Sequence, residues 1–394
     1  MKSIAAAAAI IAACYGIFTF ALWRARDRDI SRFVGAGAGV EAREVPPGLT
    51  VRSDIGGYDG VAFYRLAVNP FTRAKKAYGI TLDNPPYRQQ RIGYPLLVFL
   101  ASLGNARAVP LMMVVVNLLA LIVIAAIGGA LAQEFGFSGL WGVAFALYPG
   151  FILTLSRDTS EIVACMFMLA TSLALARQRF VAASILLTCA TLTRETALLI
   201  AIALAIVWAC CHPERERGVW AGWVRRRASA HLDPSLTLGM TAAIPIAVFI
   251  VWQAILAMIW GRLPVVAGAP DMSLPFSEFA KFLAAAAPRR IYIQRLNFME
   301  CLYLAILVIL AVIAWRRSRA AIEWRLAWIG YLAIAAIMPH TIWIEDFGFL
   351  RIFADLFIVT AVLIAASPPY ARWIALISSA ALWFHLAQHV VELH

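Results

Sequence analysis

The chain has 394 residues, 62% of them hydrophobic and 14% charged, with a formal net charge of +12. A composition this apolar excludes an ordinary soluble domain and a disordered chain, and predicts a polytopic membrane protein whose few ionisable groups gather where they stay wet. The excess of 34 Lys and Arg over 22 Asp and Glu reads as a topology signal with attraction for anions; no basic-aromatic nucleic-acid module accompanies it.

In chain order, apolar runs cover residues 3–23, 108–132, 139–155, 161–176, 180–193, 196–211, 237–260, 298–315, 324–339, 349–366 and 371–390. About twenty apolar residues cross a bilayer, so the runs predict about eleven transmembrane helices, give or take one or two, in a single all-α domain over 1–394. The first run contains Ile11-Ala12-Ala13-Cys14, which resembles a lipoprotein cleavage box, but it continues well past Cys14 to Arg24 and is expected to be a retained anchor. The six cysteines are scattered apart from Cys210-Cys211, which argues against a disulfide framework or a metal cluster.

Basic residues crowd the short breaks at Arg177-Gln178-Arg179, His212 to Pro234, Arg316 to Arg319 and Arg372. The positive-inside rule then places the N-terminus and these breaks in the cytoplasm. The outer breaks are 24–107, 156–161, 193–196, 261–297 and 340–349, and most of the acidic residues, with the Arg-acid pairings, fall there.

Within the first outer loop, 24–107, residues 58, 61, 62 and 66 share one helical face and predict a short helix lying at the interface. Gly56 and Gly57 would turn the chain ahead of Asp59, which sits at the helix's positive end. Asp59 reads equally as an N-cap, a position where Asp is favoured. Farther on, Arg88 and Arg91 lie three apart before a re-entry toward the membrane, and their planar forks suit a phosphate. Arg194 and Glu195, flanked by apolar runs of fourteen or more residues, serve a polar cavity or form a structural buried ion pair. The short segments around them read as half-helices or a shortened hairpin.

The stretch Tyr58-Asp59-Gly60-Val61-Ala62-Phe63-Tyr64 in a long first outer loop, followed by Arg91-Ile92-Gly93-Tyr94-Pro95, resembles the GT-C superfamily of membrane glycosyltransferases. The nearest likeness is to the mannosyltransferases of the GPI-anchor pathway and their bacterial relatives, whose first loop carries Trp-Asp-Gly-x-x-Tyr. Here Tyr58 replaces the Trp, and Gly93-Tyr94-Pro95 is a shortened second element. The resemblance implies inverting transfer of a sugar from a polyprenyl phosphate to a lipid, glycan or protein acceptor. It places the protein in a membrane, that of the bacterial relatives being the inner membrane, with the site facing the periplasm.

What the resemblance implies for residues is a base at Asp59, with Asp54 as its understudy, and a second acidic motif at Asp158 and Glu161, which also match a helix capping box. Arg88, Arg91, Arg194 and Arg351 are expected to hold the donor phosphate. Tyr58, Tyr94, Glu195, His340, Glu345 and Asp346 are expected to hold sugar or acceptor, the last three in a late loop ending at Arg351. Asp59, Asp158 and Glu161 could together bind a divalent cation, but no ligand spacing fixes one. A secondary transporter or lipid flippase with a buried Arg/Glu site is the alternative from another class, and a non-catalytic membrane subunit is the third.

Overall fold

The computed structural model describes residues 1–216, 234–267, 273–286, 292–316, 318, 320–339, 342–343 and 348–393. After α1 (Lys2–Ala25) the first loop carries a 3-10 turn (Ile30–Phe33), α2 (Gly60–Val68), a two-stranded antiparallel hairpin of β1 (Lys76–Ala77) and β2 (Ile80–Thr81), α3 (Pro85–Gln89) and α4 (Gly93–Ala101). The chain continues through α5 (Val109–Glu134), α6 (Gly142–Ala146), α7 (Gly150–Ser156), α8 (Glu161–Ala176), α9 (Phe180–Thr193), α10 (Leu198–Glu216) and α11 (Pro234–Trp260). It ends with α12 (Pro264–Ala267), α13 (Ser277–Ala286), α14 (Tyr292–Trp315), α15 (Ile322–Ala336), α16 (Gly348–Ile352), α17 (Ala354–Ala365) and α18 (Pro369–Glu392).

Among the described residues, α1, α5, α11, α14 and α18 contain stretches long and apolar enough to cross a membrane, and Gly139–Ala146 with Gly150–Ser156 makes a sixth if the bent pair is one span. The protein is thus an all-α chain of membrane type. Four further apolar helices, Glu161–Ala176, Phe180–Thr193, Glu195–Cys210 and Ala354–Ala365, are shorter. At 1.5 Å per residue a sixteen-residue helix covers roughly 24 Å, less than the ~30 Å hydrocarbon core.

Three expectations change. The run 139–155 is bent by 64° because Pro149 cannot donate to the helical ladder and disfavours the α conformation before it. The run 349–366 is split at Phe353. Finally, α2 does not lie on an interface: every residue from Gly60 to Ala67 is buried, because the helix packs against α4 and α5 and the rest of the loop folds over it. Phe33, Val34, Phe63, Tyr64, Leu66, Ile80 and Leu82 are nearly inaccessible, so the first loop is a packed layer of its own. α1 belongs to the same core, with Ile11 and Leu22 buried and the Tyr15 hydroxyl donating to Ala146 O at 2.7 Å.

Neighbouring pairs α1–α5, α5–α8, α8–α9, α9–α11, α10–α11, α10–α15, α15–α17, α14–α17, α14–α18 and α1–α18 close a ring of helices. The breaks between α7 and α8, between α9 and α10, and at α16 come to one end of that ring, under the first loop. Polar residues there meet one another instead of lipid.

Candidate functional site

Two glycines let the first loop close on this end. Gly60 opens α2, and a Cβ there would collide with the backbone oxygens of Arg157 and Val34. Gly93 opens α4 against Thr193, where a Cβ would collide with the threonine's hydroxyl and backbone. Gly56 and Gly57, expected to make the turn, have open space where a side chain would go. The approach of Gly60 delivers Asp59 to the 157–161 break, and that of Gly93 delivers Arg91 to the 193–196 break.

Asp59 is at the N-cap position of α2 but caps nothing with its side chain. Its carboxylate instead bridges two arginines: Arg88 Nη1 donates to Oδ1 at 2.7 Å and Arg351 Nη2 donates to Oδ2 at 2.9 Å. Arg88 also grips Asp83 with both arms of its fork, at 2.9 Å each. Arg351 reaches Glu161 Oε1 at 3.2 Å with its other arm, and Arg194 approaches the same oxygen at 3.5 Å. Arg194 pairs in turn with Asp355 at 3.2 Å and donates to Ile352 O at 2.8 Å, while the Thr196 hydroxyl donates to Asp355. Beside this chain of charges Arg91 holds Glu195 through two bonds of 2.8 and 2.5 Å and donates to the Tyr87 hydroxyl at 2.7 Å.

The four expected phosphate-binding arginines are therefore neighbours, linked through carboxylates, and none is free. Arg88 and Arg91 do not act side by side, since they turn to different acids. The network also has a wet end and a dry end: the Asp59 side chain is 25% exposed and Glu195 23%, against 3% for Glu161 and for Asp355. A ligand entering this end meets Asp59, Arg88, Arg91 and Glu195 first. Burial alone would push the Asp59 carboxyl up, but the Arg351 and Arg88 guanidiniums outweigh it and hold the group well below the usual carboxylate range.

Tyr58 belongs to the same patch. Its ring has the Arg157 guanidinium 4.1 Å and the Arg351 guanidinium 5.0 Å from its centroid, so the aromatic residue flanking Asp59 is a cation platform. Tyr94 is corrected: it is fully buried, donates to Met113 O at 3.2 Å and accepts from Asn117 at 3.1 Å, so it packs α4 onto α5 and faces no ligand. Asp54 is exposed and pairs with Arg52 two residues away, outside the network. His340, Glu345 and Asp346 lie outside the described residues.

The capping box expected at Asp158 and Glu161 is not formed. Ser160 is the cap of α8, without a side-chain cap bond, and Asp158 adopts a left-handed φ of 48°. Asp158 is completely buried, and neither carboxylate oxygen has a hydrogen-bond partner of good geometry. Burial pushes its carboxyl well up, against the opposing influence of Arg26 and the Asn117 amide. Asp59, Asp158 and Glu161 do not fit a divalent cation in this arrangement. Asp59 and Glu161 each already carry two guanidiniums, and no group of three metal-ligating side chains occurs among the described residues.

Asp83, Asp355 and Arg157 are site residues that the sequence reading missed. Asp355 had a signal, being a lone acid inside an apolar run. No protein-family model matches the chain, and no curated protein matches it in sequence.

Proposed function

We propose that the chain is an inverting glycosyltransferase that moves a sugar from a polyprenyl phosphate to a lipid, glycan or protein acceptor on the non-cytoplasmic face of the membrane. The eleven-span arrangement, the cytoplasmic N-terminus and a bacterial inner-membrane location belong to this proposal. What supports it most is the double clamp on Asp59: one partly exposed carboxylate shared by guanidiniums from the first loop and from α16.

The reaction needs a cationic seat for the departing phosphate and a base for the acceptor hydroxyl. While both guanidiniums hold Asp59, it is a poor base. A donor phosphate entering at the wet end competes for the same two forks, which match its oxygens as well as they match a carboxylate. Each guanidinium that turns to phosphate raises the proton affinity of Asp59. The base thus becomes effective when the donor is seated. The acceptor oxygen then forms its bond to the anomeric carbon, the carbon–phosphate-oxygen bond breaks with its electron pair going to the polyprenyl phosphate, and the hydroxyl proton passes to Asp59. Arg91, Arg194 and Glu161 keep Arg351 and the wall of the seat in register.

The test is an assay of sugar transfer from a radiolabelled polyprenyl phosphate in membranes carrying wild type or Asp59→Asn. Loss of transfer with retained donor binding is expected; wild-type turnover by the variant overturns the role of Asp59. Orientation is read separately by labelling Ser53→Cys, an exposed position, with an impermeant maleimide: labelling in intact cells is expected, and labelling only after permeabilisation overturns the topology. The transporter reading has one observation in its favour, the charged break at Arg194 between the short helices α9 and α10. It predicts that labelled lipid changes leaflet with no sugar transferred.

A further inference from the structure

The other end of the ring holds a second buried arginine of opposite character. Arg372 lies in the first turn of α18, one α17 length from Arg351 along the chain, and is only 6% exposed. No carboxylate pairs with it; its Nε and Nη1 have no hydrogen-bond partner. The guanidinium is held between the rings of Phe137, 3.4 Å from the centroid, and Trp141, 5.0 Å. A buried guanidinium without an anion is costly unless something negative reaches it.

Two independent features point the same way. α18 is 24 residues long, with no acidic residue in its first turn and no side-chain cap, so its positive end is uncompensated and adds to the attraction for an anion. Arg372 also lines a narrow cleft enclosing about 400 Å³ of unfilled space, whose remaining wall is mostly apolar, including Phe145, Leu307, Phe357 and Ala375. Its hydroxyls are engaged elsewhere: Thr360 accepts from Trp328 at 2.9 Å, and Ser379 bonds Tyr303 at 2.9 Å. Around the mouth, Trp373 is 54% and Tyr370 44% exposed, the aromatic pair expected at headgroup level.

We propose that this cleft binds an anionic phospholipid from the leaflet opposite the candidate active site, its phosphate on Arg372 and the α18 N-terminus and its acyl chain between α14, α17 and α18. The narrow apolar wall selects a chain over a free ion, and the guanidinium selects an anionic over a zwitterionic lipid. The proposal is independent of glycosyl transfer, since none of its residues touches the arginine–carboxylate network.

Native mass spectrometry of the full chain in detergent tests it, with phosphatidylglycerol, phosphatidylcholine and inorganic phosphate as probes. Wild type should retain one phosphatidylglycerol on the order of tenfold better than phosphatidylcholine, as expected for a charge-assisted contact. Arg372→Gln removes the charge, and Ala375→Phe fills the cleft while leaving Arg372 in place; each should abolish the preference with the melting temperature nearly unchanged. If Arg372→Gln unfolds the protein, Ala375→Phe alone decides. Equal retention of the two lipids by wild type, undiminished phosphatidylglycerol on either folded variant, or displacement of the lipid by an equal concentration of inorganic phosphate would each overturn the proposal.

Discussion

Arg351 and Arg372 bracket a single helix, α17, and both are almost completely buried, at 4% and 6% exposure. Arg351 meets Asp59 and Glu161 and lies over Tyr58; Arg372 meets aromatic rings alone. The first is part of a lattice in which Asp83, Asp59, Glu161, Asp355 and Glu195 compensate Arg88, Arg351, Arg194 and Arg91. The second awaits a partner from outside the chain. Burial of a guanidinium therefore says little about its role until the anion is identified: an internal anion makes a rigid, switchable site, and none makes a receptor.

The largest effect that sharpens this contrast is on catalysis. Asp59→Asn keeps the shape of the side chain but cannot take a proton, so transfer should fall by about 10²- to 10⁴-fold. The same exchange at a mere cap would be nearly silent, since Asn caps as well as Asp. Turnover measured with saturating donor distinguishes the two, and an unchanged rate would leave Asp59 a structural bridge.

Stability supplies the next test. Arg351→Met strands Asp59 and Glu161, and removing one member of a buried pair costs about 3–5 kcal/mol. Arg372→Met strands no carboxylate and should be neutral or mildly stabilising in lipid-free detergent. Denaturation midpoints of the two variants, measured side by side, break the comparison if they shift by equal amounts. A smaller effect is expected at the wet end: Arg91→Lys replaces a fork on Glu195 by a point charge, which should raise the donor KM roughly tenfold with little change in kcat. A change confined to kcat would place Arg91 at the reacting atoms.

Much of this site was legible as charge interrupting apolar runs. Asp59, Arg88, Arg91, Glu161, Arg194, Glu195 and Arg351 stand out because each falls at a break where the local pattern forbids lipid contact. Who pairs with whom was not legible: Asp59 finds partners 29 and 292 residues away, and no local periodicity carries that distance. Asp355 was passed over because it sits inside a run read as one span, and the split at Phe353 that turns it toward Arg194 leaves no mark in composition. Tyr94 was misassigned for the converse reason, since a motif residue beside a site can serve only packing. The burial of α2 was hidden because a helical period reports one apolar face, whereas Val61, Leu66 and their neighbours are covered on the other sides by the folded first loop. Gly60 and Gly93 were overlooked in favour of Gly56 and Gly57 because a close backbone approach, unlike a turn, depends on what lies opposite.

Asp158 offers the finest test, because it is the carboxylate that the lattice leaves out. Its neighbours on either side, Arg157 and Thr159, face different surroundings, and its own oxygens lack partners of good geometry. Burial raises its folded-state proton affinity above that of the unfolded chain, so the folded protein holds a proton that the unfolded chain releases once the pH exceeds about 4. The stability tied to that proton is fully present below the unfolded value and declines as pH rises toward the folded one. Asp158→Asn removes the titration while keeping the shape. It should therefore raise the melting midpoint at pH 8 by an amount corresponding to about 1–3 kcal/mol, and the gain should disappear near pH 4. Tryptophan fluorescence melts at the two pH values measure both numbers. A lower midpoint at pH 8 would mean that Asp158 is ionised in the fold and paired with Arg26, which would add Arg26 to the compensated arginines and leave Arg372 more isolated still.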